Sequence, residues 1–186
     1  MPTTKSPATN PNITPDPSQN GSTVRKAFLL EAFANLFTIP LITNTSWTLS
    51  LLLNNPSRDI NPTSILFARL FGGLVVGGLT SALLAGATNT RNGIESRRPT
   101  YMLLGLGEAV LIPMIVLDLI EGGGPNAALS KGVAAASVAC LVPPLSWRLY
   151  VLFVRPDLLG KYTEEGKTNG SARSSGGYGA INTRED

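Results

Sequence analysis

Four apolar stretches, Val24–Leu53, Thr63–Ala87, Tyr101–Ile120 and Ala127–Val154, succeed one another through the middle of the chain with only short polar breaks between them. Each can supply the roughly 20 residues that a helix needs to cross about 30 Å of hydrocarbon, so lipid rather than water is the expected solvent of this region. In lipid a helix satisfies its own backbone N–H and C=O groups, which an open strand or loop cannot do. The predicted fold is an all-α four-helix transmembrane bundle over residues 24–160, with helices at about 26–44, 63–87, 100–120 and 127–154. Residues 1–23, rich in Pro, Thr, Ser and Asn, and residues 161–186, rich in Gly, Ser, Thr and Arg, hold too little apolar surface to offset the entropy of ordering, and both are expected to be disordered tails. These polar ends explain why the 186-residue chain is only 43% hydrophobic, with a mean hydropathy of +0.15.

The placement of Lys and Arg predicts the orientation. With four crossings, Lys5, Arg25, Lys26, Arg91, Arg97, Arg98, Arg155, Lys161, Lys167, Arg173 and Arg184 share one side, and the other side holds only Arg58 and Lys131. The positive-inside bias puts both termini in the cytosol. The first 23 residues lack an apolar core of their own, so no cleavable leader is expected there. The pI of about 9.2 then reflects topology and attraction to lipid headgroups. A nucleic-acid partner is not expected, because the basic residues do not cluster with aromatic ones on a folded face.

The first stretch is short for a crossing helix and contains Pro40. It reads either as a helix ending near Ile42–Asn44 followed by an interfacial piece around Trp47–Leu53, or as one long helix broken at the proline. Asn55-Pro56-Ser57 and Asn61-Pro62-Thr63 mark turns beyond it. In the second stretch Gly73, Gly77, Ser81 and Ala85 stand four residues apart, forming a row of small side chains that lets another helix approach closely. Such a row serves packing inside the chain or, in the sharper reading, a homo-oligomer seam through the Gly73/Gly77 face. No strand precedes these glycines and no phosphate-loop lysine comes after them, so a nucleotide site is not expected.

The candidates for chemistry are the ionisable residues inside the stretches: Glu31, Arg69, Glu108, Asp118 and Arg148. Each costs about 2.5–3.5 kcal/mol near a helix centre on translocon scales, which calls for mutual pairing or a wet cavity. Depth counted at about 1.5 Å per residue predicts two clusters, Glu31/Glu108/Arg148 towards the cytosol and Arg69/Asp118 towards the other side. Glu108, Leu111, Ile115 and Asp118 share one face of the third helix, and Pro113 lies between them. Such charges either act on a ligand or only fix helix register.

Absences narrow the chemistry. The chain contains no His, which excludes His-ligated haem, His-rich di-iron centres and Ser-His-Asp hydrolysis. Its single cysteine, Cys140, rules out an internal disulfide and is expected to be a small buried hydrophobe. No metal and no cofactor are expected. An enzyme built from these residues would isomerise or cyclise a lipophilic, sterol- or terpenoid-like molecule. Glu108 or Asp118 would give the proton, Glu31 would be the base, Arg69 and Arg148 would bind, and Trp147 or Trp47 would face developing positive charge. The same residues suit an accessory or structural membrane protein whose partners are lipids, and that is the first reading.

The segment from Asn55 to Ile112 carries Arg69-Leu70-Phe71-Gly72-Gly73, Asn89-Thr90 and Ile94-Glu95-Ser96-Arg97-Arg98-Pro99-Thr100-Tyr101, which leads into Gly105-Leu106-Gly107-Glu108. On these residues the chain resembles small four-helix membrane proteins of filamentous fungi and, more distantly, DoxX-like and sterol-isomerase-related bundles. The resemblance implies an endomembrane location, a role beside lipophilic-metabolite enzymes and carboxylates within the membrane. Glu95–Thr100 itself is expected to be a loop held at the surface by Arg97 and Arg98, with Pro99 in the first turn of the third helix, or else a docking site for a partner or phosphate group.

Overall fold

The structure, a computed structural model, describes residues 13–121 and 127–164. Most of both expected tails, and the loop after Glu121, lie outside these residues. The described chain is all-α apart from one short strand pair. Four helices are long and apolar enough to cross a membrane: α1 (Ser22–Thr43), α4 (Pro62–Gly86), α5 (Arg91–Ile120) and α6 (Lys131–Val154). This is the pattern of a multi-pass membrane protein. Between the first two lie α2 (Thr45–Leu52) and the single turn α3 (Pro56–Asp59).

Local chemistry sets the boundaries. A 3-10 turn at Leu36–Thr38 precedes Pro40 inside α1, and the chain leaves helical geometry only at Asn44 (φ −133°, ψ 51°). The stretch around Trp47–Leu53 is thus a helical element separate from α1, and Trp47 on α2 is exposed. Asn61 opens α4 with a reciprocal cap: its side chain accepts from the Thr63 and Ser64 amides while Ser64 Oγ accepts from the Asn61 amide, and Pro62 occupies the first turn. Within α4 the turn at Leu74–Leu79 widens to a π-helix. Its extra residue is held by Thr80 Oγ1, which donates to Val75 O and accepts from Asn35 Nδ2 of α1.

The third span starts at Arg91, well before the expected position near residue 100, so Pro99 lies inside the helix. The Glu95–Thr100 run is therefore helical rather than a loop. The 30 residues of α5 reach about 45 Å at 1.5 Å per residue, more than the hydrocarbon thickness and enough for its polar first turns to extend beyond an apolar layer.

Neighbouring spans in sequence are neighbours in space: α1 packs on α4, α4 on α5 and α5 on α6, with α2 lying on α4. The dense core gathers at one end of the bundle, from Val24, Phe28 and Ala32 of α1, Leu83 and Ala87, Tyr101, Val151 and Leu159. The Phe28 ring meets Tyr101 edge-on at 4.8 Å and lies against Gly86, where any Cβ would collide with it. At the same end Ile13–Pro15 (β1) and Tyr162–Glu164 (β2) pair antiparallel. Both ends of the described chain therefore emerge from the same end of the bundle. At the opposite end Leu53 bridges Leu129, and the Asn54 and Ser130 amides bond Ala128 O and Leu52 O across the two loops. Outside these two knots the helices bury little on one another: only 11% of the most apolar window of each span is buried. Leu66, Phe67, Leu106, Met114 and Phe153 are among the large side chains left for lipid to cover.

Candidate functional site

Arg148, near the end of α6 and 3% exposed, is the hub of the membrane-embedded charges. Its Nη2 donates to Glu31 Oε2 of α1 at 2.6 Å and its Nη1 pairs with Glu108 Oε1 of α5. Three spans thus converge on one guanidinium. The Tyr101 ring lies 6.0 Å from the guanidinium carbon, close enough for cation–π attraction. Trp147 Nε1 donates to Tyr101 Oη at 2.9 Å. The indole N–H thereby orients Tyr101. Two carboxylates against one guanidinium leave the ionised cluster with one net negative charge. Glu108 Oε2 and Arg148 Nε have no hydrogen-bond partner among the described residues.

Arg69 and Asp118 do not pair. Arg69 Nε donates to Thr45 Oγ1 at 3.1 Å, and Thr45 in turn donates to Leu41 O. Asp118 accepts from the amides of Ala128 and Leu129 at 3.2 and 3.3 Å. Equal depth did not bring them together because each found a nearer partner: Asp118 caps the returning loop, and α2 presents a threonine to Arg69. Asp118 is thus a loop anchor.

The glycine row has no neighbour in the described chain. A Cβ at Gly73 or Gly77 would have nothing within 4 Å, and Ser81 is exposed with its hydroxyl bonded to Gly77 O. The close helix approach falls one residue away, at Gly72, where a Cβ would crowd Ile42 and Leu41 of α1. Cys140 is exposed on α6 and not buried.

Sequence reasoning missed the second polar centre. Arg97 is 0% exposed. It donates through Nε to Gly86 O at 2.8 Å, through Nη1 to Leu159 O at 2.7 Å, and through Nη2 to Thr88 O at 3.0 Å and Asn89 Oδ1 at 3.4 Å. Arg25 Nε adds a bond to Ala87 O. Two guanidiniums thus satisfy the free carbonyls at the C-terminus of α4, where the helix dipole is negative. Room for Arg97 Nη1 comes from Gly21 (φ 66°) and Gly160 (φ 90°), whose backbones lie where side chains would strike it. The signal that could have found it is a basic residue after a span that ends without its own cap. A short path continues outwards: Arg91 pairs with Glu95 at 3.0 Å, and Tyr162 of β2 donates to Glu95 Oε1.

No family model matches this chain, and no curated protein or solved structure does either. Among the described residues no group of His, Cys, Asp or Glu could hold a metal ion. The cavity described, about 230 Å³ and lined by Ser18–Thr23, Arg155, Asp157 and Leu158, lies at the polar end near the start of α1 and not at the Arg148 cluster. There Arg155 and Asp157 pair at 2.8 Å; the pairing holds the Asp157 carboxyl below the usual carboxylate range.

Proposed function

We propose that this is an accessory or structural multi-pass membrane protein, with both termini cytosolic in an endomembrane, whose intramembrane charges hold the bundle together rather than act on a substrate. The observation that carries this is the closure of Arg148 by Glu31 and Glu108 from two other helices. A buried pair seldom adds net stability over apolar packing, but it penalises every arrangement that separates its partners, so it specifies which helices meet. The Lys and Arg bias supports the orientation, and the resemblance to fungal four-helix membrane proteins supports the endomembrane. In the alternative reading, a cofactor-free isomerase or cyclase of a lipophilic molecule, Glu108 Oε2 is the proton-transfer atom, a reading favoured by its lack of a partner.

Glu31→Gln, Glu108→Gln and Asp118→Asn variants, scored for folded yield and for the host's lipid and metabolite profile, separate the two. A metabolite profile that stays unchanged per folded molecule, whatever the yield of each variant, is the expected result. A metabolite that disappears at normal yield overturns it in favour of catalysis.

A further inference from the structure

We infer that the exposed face of α4 headed by Arg69 is a phospholipid site, with the guanidinium on the phosphate and an acyl chain along Gly73, Gly77 and Ser81. This rests on the chain being inserted in a membrane. Arg69 is exposed although it lies inside a span, and among the described residues its only hydrogen bond is from Nε to Thr45 Oγ1. That bond uses Nε alone, and among the described residues neither Nη group has a hydrogen-bond partner; two such donors suit the bidentate geometry that phosphate accepts. Seven residues separate Pro62 from Arg69, about 10 Å of helix. Side chains on a helix lean towards its N-terminus, so the guanidinium reaches back towards the near interface, where phosphates lie.

Below it, the bare backbone at Gly73 and Gly77 forms a furrow that no described part of the chain fills, and exposed Leu70 and Leu74 make the adjoining ridge. From Arg69 to Ser81 is twelve residues, about 18 Å, close to the ~15 Å of a single hydrocarbon leaflet. Charge decides against a second copy as the occupant. All copies share one orientation in the membrane, so a two-fold seam along this row would set Arg69 against Arg69 with no carboxylate between them.

The test uses the full chain in detergent and native mass spectrometry. It is titrated with dioleoylphosphatidylglycerol and with dioleoylglycerol, which has the same chains without phosphate. The wild type should retain the phospholipid on the order of tenfold better, the worth of one charge-assisted contact. Arg69→Gln should abolish the difference, Arg69→Lys should keep part of it, and Gly73→Leu with Gly77→Leu should weaken retention of both lipids. Circular dichroism identifies any variant that fails to fold, and the remaining variants then decide. Equal retention by wild type and Arg69→Gln overturns the inference. So does a dimer that Gly73→Leu dissociates, or inorganic phosphate that displaces the lipid at equal concentration. A chain that stays dissolved without detergent defeats the membrane reading as well, whereas equal retention in a detergent-requiring protein defeats this inference alone.

Discussion

Arg148 serves two carboxylates, and the sign of the charge left behind orders its variants. Glu108→Gln leaves a one-to-one pair of Arg148 with Glu31 and keeps an oxygen for Nη1, so folded yield in detergent is expected to stay near wild type. Arg148→Met leaves two buried carboxylates without a cation, and a loss of about 3–5 kcal/mol is expected, enough to abolish the folded fraction. Equal yields from the two variants would show that the cluster does not hold the helices. Outside the membrane, burial and the hydrogen bond to Glu95 push the Tyr162 hydroxyl above its ordinary range. A raised value means that the folded form holds the proton more tightly. The contribution is therefore complete below about pH 10, the ordinary tyrosine value, and is lost as pH rises through the folded one. The protection factors of the strand-pair amides, with the intrinsic base catalysis of exchange divided out, are expected to fall above that pH, and Tyr162→Phe should remove that fall.

At the scale of elements, the two loops at the end opposite the strand pair depend on Asp118. Asp118→Ala leaves the Ala128 and Leu129 amides without their acceptor, a cost of about 1–3 kcal/mol, and Asp118→Asn keeps one acceptor oxygen. Exchange at those two amides should rise most in the alanine variant; unchanged protection would contradict the anchoring role. The apolar stretches made the four spans legible, and depth counting brought Glu31, Glu108 and Arg148 to one level. The same counting paired Arg69 with Asp118 and failed, because it fixes height and not azimuth. The π turn of Leu74–Leu79, which no residue pattern announces, likewise changes the face that the remainder of α4 presents. Arg97 was illegible for another reason: its acceptors are backbone carbonyls, and carbonyls leave no mark in a sequence.

For the molecule as a whole, the β1–β2 pair ties the described ends of the chain to one end of the bundle, which in a membrane calls for an even number of crossings independently of charge. Protease added to sealed microsomes is expected to remove N-terminal and C-terminal tags together. Protection of one tag alone would break the proposed topology. Two knots hold the molecule, an arginine-rich one beside the strand pair and the Asp118 loop at the far end, while the flanks between them are left to lipid.

The seat of Arg97 has a consequence for how the protein is made. Leu159 O, one of its acceptors, and Gly160, which makes room for it, come after the last span in the chain. During synthesis the arginine is therefore made before its last acceptor exists, and its full set of bonds can close only after the ribosome has delivered the segment beyond α6. A nascent chain truncated before Leu159 would carry all four spans yet lack the latch that closes them.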